Sequence, residues 1–237
     1  MLIGGQGGLG LKLVRRDGTV LRSIGQPGGG AKDFIDSALG VAPSDDYVFV
    51  ADVSGYRVLV YDAALSRHVY TIDQGAISEE VRQQTACTLK AFDSSKGYQG
   101  PSCFNPHGLA WTASFGGRLF VADADNACVL VFNRAWELVR TIRDASLFTM
   151  PRGLTITPSG RLLVAERTRL VLLTLNGRLL HALDIPNSVN MLGVSADAQQ
   201  AYIADVQANK VFVVTTAARH PSESAPAAVE AADAGEL

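Results

Sequence analysis

Several features are missing from this sequence, and each absence excludes something. No run of about 18 apolar residues occurs, so no membrane-spanning helix is expected. The opening MLIGGQGGLG has neither a positively charged leading region nor a long apolar core, so it is not read as a secretory signal. No Asn-x-Ser/Thr acceptor is present. These features together give an expectation of a cytoplasmic protein that does not associate with membranes. Neither charge sign dominates: 21 Lys and Arg face 23 Asp and Glu, a formal net charge of −2, which argues against a strongly basic nucleic-acid binder. RNA recognition through a local patch stays open as a lesser reading. Cysteine is scarce. Cys87, Cys103 and Cys128 are odd in number and widely spaced, which favours free thiols in a reducing compartment. A Cys87–Cys103 bridge is the alternative. No Walker loop, Gly-x-Ser-x-Gly elbow or registered Cys/His pair occurs. Gly5-x-Gly7-x-x-Gly10 matches the dinucleotide fingerprint as text, but no strand fits ahead of it and no helical pattern follows.

What is present is a repeat. LFVADADNACVLVF (Leu119–Phe132) has three counterparts: VFVADVSGYRVLVY (Val48–Tyr61), LLVAERTRLVLLTL (Leu162–Leu175) and AYIADVQANKVFVV (Ala201–Val214). Each copy is a β-rich run ending in an acid (Asp52, Asp123, Glu166 or Asp205), a polar turn and a second β-rich run. Upstream of each stands a glycine before an apolar residue: Gly40, Gly108, Gly153 and Gly193. A fourth short run follows, as in ELVRTI (Glu137–Ile142) and RLLHAL (Arg178–Leu183). Asp123 to Glu166 is 43 residues and Glu166 to Asp205 is 39. Four short strands at a period near forty residues predict the blades of a propeller, each hiding its sheet faces against its neighbours. The expected fold class is therefore all-β: a propeller of about four blades, each a four-stranded antiparallel sheet. The acids recur once per blade before a turn, where a carboxylate can accept backbone N–H bonds, so a structural role is expected for them.

The units resemble NHL repeats, whose pattern is Pro-x-Gly-apolar, then Gly-x-apolar-apolar-Val-Ala-Asp. FNPHGLAW with GGRLFVADADNACVLVFN (Phe104–Trp111, Gly116–Asn133) matches closely. MPRGLTI with SGRLLVAERTRLVLLTLNG (Met150–Ile156, Ser159–Gly177) matches with Glu in place of Asp. The resemblance implies a propeller of NHL type, a family whose members typically have more blades and in tripartite-motif relatives recognise substrates or RNA. No RING, B-box or coiled coil accompanies it here.

Residues 1–10 read as a flexible glycine-rich lead-in, 11–216 as the propeller, 73–102 as an insertion between blades, and 217–237 as a disordered acidic tail. Blade one is expected from Phe34 to Ile72, blade two from Phe104 to Ile142 and blade three from Phe148 to Leu183. The last unit shows three strands, from Leu192 to Thr215. TVLRSI (Thr19–Ile24) could supply its fourth strand and close a ring. The competing reading is part of a larger propeller, with self-association through exposed strands. Ile77, Val81 and Thr85 are spaced for a short helix.

Aligned on the glycines, Leu39, His107, Arg152 and Leu192 take equivalent places just before the glycine and are expected to point toward one mouth of the channel that the innermost strands line. His107 and Arg152 are the candidate ligand-binding residues, for an anionic ligand. NPHGLAW also resembles the Pro-His step of peptidyl-α-hydroxyglycine amidating lyases, which hold zinc with histidines from three blades. Leu39, Arg152 and Leu192 occupy the other places here, so no metal, cofactor or catalytic residue is assigned. Asp123-Ala-Asp125-Asn126 begins like a calcium loop but lacks its later ligands and reads as a turn. Arg57, Arg118, Arg161 and Lys210 read as solvated turn charges. The expected function is a non-catalytic scaffold that binds a protein partner. The alternative is an enzyme of amidating-lyase or lactonase-like type with a metal at the mouth.

Overall fold

The computed structural model describes residues 2–4, 10–25, 38–77, 104–188, 190–215 and 229–233. Their strands are β1 (Leu2–Gly4), β2 (Leu11–Val14), β3 (Val20–Ile24), β4 (Ala38–Pro43), β5 (Tyr47–Asp52), β6 (Arg57–Asp62), β7 (His68–Ile72), β8 (Pro106–Thr112), β9 (Arg118–Asp123), β10 (Cys128–Phe132), β11 (Leu138–Arg143), β12 (Gly153–Ile156), β13 (Arg161–Ala165), β14 (Arg169–Thr174), β15 (Leu179–Asp184), β16 (Met191–Ala196), β17 (Gln200–Asp205), β18 (Lys210–Thr215) and β19 (Val229–Asp233). They form four antiparallel four-stranded sheets arranged as propeller blades, β4–β7, β8–β11, β12–β15 and β16–β19, and one three-stranded sheet, β1–β3. Every neighbouring pair is consecutive in sequence, so each blade is a meander that forms from local contacts.

The period-two alternation of the two middle strands loads both faces of a blade with apolar residues, and the blades cover these faces for one another. Phe49, Ala51, Val58 and Val60 of blade one face Leu119, Val121, Leu130 and Phe132 of blade two. Phe120, Ala122, Val129 and Val131 then face Leu162, Val164, Val171 and Leu173 of blade three. Leu163, Ala165 and Leu170 face Ala201, Ile203, Phe212 and Val214 of blade four. The N-terminal sheet lays Leu11, Leu13 and Ile24 on Val48, Val50, Leu59 and Tyr61 of blade one. Each fully buried aliphatic or aromatic side chain contributes about 1.5–3 kcal/mol.

The N-terminal sheet follows the pattern of the outer three strands of a blade. Leu11 pairs with Ile24 and the register slips at Leu13/Val14. Val58 pairs with Ile72 and slips at Val60/Tyr61 in the same way. So β1, β2 and β3 match the second, third and fourth strands of a blade.

Three expectations need correction. TVLRSI does not complete blade four: Val20–Ile24 pairs with β2. The fourth strand of that blade comes from the expected tail, where Val229 pairs with Val214 and Asp233 with Lys210. A backbone ladder needs no particular side chains, so an alanine- and glutamate-rich segment can cover the open edge of β18. The lead-in likewise contains a strand, Leu2 pairing with Leu13. The expected insertion begins inside the core. Asp73 caps a short 3-10 turn by accepting from Gly75 N at 2.8 Å, and Ile77 is buried between blades one and two. Val81, Thr85, Cys87, Cys103 and the rest of the insertion lie outside the described residues, as do 217–228 and 234–237.

The innermost strands pack side by side, β4 on β8, β8 on β12 and β12 on β16. A Cβ added at Gly108 would strike the backbone of the next innermost strand, at the Arg152 carbonyl oxygen and Leu154 N. One at Gly193 would meet only the Ala204 side chain, at 3.6 Å. Gly108→Ala is therefore expected to destabilise by roughly 1–3 kcal/mol and Gly193→Ala to shift stability by less than about 0.5 kcal/mol. Urea midpoints at unchanged m-value test the pair; equal losses would mean that the glycine matters for strand geometry and not for blade contact.

Candidate functional site

In blades two, three and four the acid fastens the loop that leads into the innermost strand. Asp123 accepts from Asn105 N at 3.1 Å and from Asn126 Nδ2 at 2.6 Å. Glu166 accepts from Thr149 N (3.0 Å), Thr149 Oγ1 (2.8 Å) and Met150 N (3.1 Å). Asp205 accepts from Ser188 Oγ (2.6 Å) and Asn190 N (3.0 Å), and from Gln207 N and Ala208 N in the following turn. The structural role expected for the acids holds, with a longer reach than a local turn: the leading loop lies 15–18 residues upstream. Arg57 differs from the expectation of a solvated charge, because its Nε lies 2.9 Å from Asp52 Oδ2. The Asp123–Asn126 bond closes the calcium-like stretch on itself as a turn.

These loops deliver the two candidate residues. His107 lies on β8, two residues after Asn105. It is buried, and its Nδ1 has no hydrogen-bond partner. Burial first, and then the Arg152 guanidinium, push its pKa down to about 4; Asp125 acts weakly in the other direction. The imidazole is therefore neutral at physiological pH. Arg152 stands just ahead of β12, two residues after Met150. Its Nη1 donates to Asn190 Oδ1 at 2.7 Å and its Nη2 approaches Met150 Sδ at 3.1 Å, while Nε is buried without a partner. Burial, followed by the Arg167 charge, lowers its pKa, and Asp125 opposes this. The structure thus brings His107 and Arg152 together and adds Asn190, Arg167 and Asp125. Of the other two equivalent positions, Leu39 is part-buried.

The added residues had a signal in the repeat. Asn190 aligns with Asn105, two places before the mouth residue. Arg167 follows the blade acid directly, and Asp125 lies two places after its own. The place just before the glycine includes none of the three.

Among the described residues no group of three or more His, Cys, Asp or Glu is placed to hold a metal ion. The donor set at the mouth, one imidazole beside two guanidinium groups, does not fit a zinc centre. His68 and His181 lie on the outer strands β7 and β15, and His220 lies outside the described residues. Cys128 is buried and its thiol is pushed up to about 12, chiefly by burial, so it is an inert core residue.

No family model matches the chain and no curated protein matches it. Solved structures do. Selenomethionine-substituted virginiamycin B lyase from Staphylococcus aureus matches with a TM-score of 0.57 at 10% identity, over 95% of this chain and 63% of the lyase. A protein of unknown function from Bacteroides caccae matches at 0.59 and 13% identity, over 100% of this chain and 73% of that one. The WD40 repeats of RRP9 match at 0.52 and 11% identity, over 74% and 48%. At these identities the likeness shows the propeller fold alone. The chain spans about 63% of the length of the lyase.

The His107 shift has a definite sign. A folded pKa of about 4 lies below the unfolded value, so the unfolded chain takes the proton first as pH falls. The contribution is complete above about pH 6.5 and is lost between there and pH 4, on the order of 3 kcal/mol. Asp123 acts in the opposite direction: burial raises its pKa to about 6, so it adds stability as pH falls through that value. The wild-type profile therefore partly cancels, and His107→Phe isolates the histidine. The wild-type minus variant difference in unfolding free energy should slope between pH 6.5 and 4 and stay level above. A level difference throughout would contradict the depressed pKa.

Proposed function

We propose that the chain is a non-catalytic, NHL-type propeller that serves as a protein-binding scaffold, and that its partner seats a carboxylate at the mouth beside His107 and Arg152. The observation that carries this reading is the pair of buried nitrogens without partners, His107 Nδ1 and Arg152 Nε. An unsatisfied buried donor costs about 1–3 kcal/mol, and a ligand that supplies the acceptor recovers it. The charge balance agrees in sign. Arg152 and Arg167 face one acid, Asp125, so the mouth is locally positive in a chain of net charge −2. Arg152 is held by an amide oxygen and a thioether, neither of which neutralises it. A carboxylate would gain charge-assisted bonds from the guanidinium and a neutral N–H bond from the imidazole. The exposed Asp125 and Arg167 on the rim offer polar contacts to the chain that carries the acid.

The test is a calorimetric titration with a short glutamate-rich peptide and with its glutamine counterpart. The acidic peptide should bind and the neutral one should not. Arg152→Gln should weaken binding by about tenfold or more, with a smaller loss for His107→Phe. Equal binding of both peptides, no binding of either, or an affinity untouched by Arg152→Gln would overturn the carboxylate reading.

A further inference from the structure

The polar groups left without partners at the mouth divide by kind between two blades. On blade three they are donors. Arg152 Nε is buried without a partner, and among the described residues the exposed Arg167 makes no hydrogen bond or ion pair through its side chain. On blade two they include acceptors. Asn105 Oδ1 is buried without a partner, and the exposed Asp125 makes no hydrogen bond or ion pair through its side chain. His107, on the innermost strand of blade two, lies within electrostatic reach of both Arg152 and Asp125.

The repeat accounts for the orphaned amide oxygen. Asn190 stands two places before the mouth residue of blade four, and its Oδ1 accepts from Arg152, the mouth residue of the preceding blade, at 2.7 Å. Asn105 stands at the same place in blade two. The mouth residue of the preceding blade is there Leu39, which has no donor. Backbone bonds fix the two rim charges. Ala124 N donates to Asn105 O at 3.1 Å, which ties the turn bearing Asp125 to the loop that leads to His107. Met191 N donates to Arg167 O at 3.2 Å, which ties Arg167 to the loop that bears Asn190. Opposite charges thus stand at one mouth without pairing. A carboxylate alone answers the donors. It leaves Asn105 Oδ1 open and meets Asp125 as a like charge.

We propose that the partner presents its carboxylate together with an ammonium, as a glutamate and a lysine on one face of an extended segment, with the acid at Arg152 and Arg167 and the lysine at Asp125 and Asn105 Oδ1. The proposal rests on the carboxylate reading of this site and adds the second half of the ligand. An ammonium brings three donors and no acceptor, which suits an amide oxygen and a carboxylate together. In an extended segment residues two apart share a face, so one strand of the partner laid across blades two and three carries both groups. An acid without a cation pays for the repulsion from Asp125, whereas the pair turns it into a contact. Asp125 is in this way the residue that discriminates among acidic partners.

Calorimetric titration of the full chain with three peptides tests this, each acetylated and amidated so that no chain terminus carries charge. The first holds a glutamate and a lysine two places apart, the second has glutamine for the lysine, and the third has glutamine for the glutamate. The wild type should bind the first about threefold more tightly than the second, by less in high salt, and the third not measurably. Asp125→Asn should weaken the first peptide and tighten the second, a reversal of sign that a loss of structure does not produce. Asn105→Leu should weaken the first peptide and leave the second unchanged. The thermal transition shows whether each variant is folded. Equal affinity of the wild type for the first two peptides, an Asp125→Asn that moves both in the same direction, or binding of the third as tight as the first would overturn the charge pair while the carboxylate reading stands. Binding of neither glutamate peptide would overturn both.

Discussion

A buried carboxylate at the end of the second strand governs the position of everything at the mouth. The innermost strand of a blade is short, and the loop leading to it has no ladder of its own. Asp123, Glu166 and Asp205 supply the acceptors its N–H groups need, across 15–18 residues of sequence. Ionised acceptors make bonds about twice as strong as neutral ones, which suits a contact that must fix a loop rather than merely satisfy it. His107 stands two residues past the fastened Asn105, Arg152 two past the fastened Met150, and Asn190 is itself fastened through its backbone. Glu166, one methylene longer than the aspartates, reaches Thr149 as well as Met150. The recurrent acids therefore determine where the site stands.

The burial that makes this fastening effective also sets the electrostatics. Asp123 is enclosed with donors from Asn105 and from the side chain and backbone of Asn126, and still carries a raised pKa, led by desolvation. Asp205 is also buried and accepts from four groups. At the mouth the same low polarity holds His107 neutral, and the neighbouring Arg152 charge adds to the effect. A neutral imidazole beside a guanidinium held by uncharged acceptors keeps the local field positive. An ion pair on Arg152 would have given stability to the loop and removed the field.

Most of the fold was legible because a propeller repeats its physics. Alternating apolar residues, an acid before a turn and a glycine at the innermost strand recur at nearly fixed spacing, so four blades and the His107–Arg152 neighbourhood follow from alignment alone. The parts that were not legible are those held by backbone rather than by side chains. Val229–Asp233 carries a tail-like composition and pairs because β18 offers an open edge. Leu2–Gly4 is short and followed by glycines, yet it pairs with β2. Asn190 was missed because its role lies in its side chain's approach to Arg152 across blades, a relation no single repeat contains, and Arg167 because its charge reaches Arg152 from the far hairpin of the same blade. Arg57 was misjudged for a similar reason: its partner Asp52 sits across the hairpin, where the register, not the spacing, decides the contact.

The mouth also does not depend on how the ends of the array are completed. His107, Arg152 and Asn190 come from three consecutive blades, and the two joints between these blades are closed clusters of buried aliphatic and aromatic residues. In an array whose stability is a sum of repeats and nearest-neighbour contacts, the outermost units open first and the inner joints last. The distance between the imidazole and the guanidinium is set by the β8–β12 contact, where Gly108 allows the closest approach of the two backbones. Asn190, which holds Arg152 from the other side, is carried by blade four, so the guanidinium is braced by the joint on each side of its own blade.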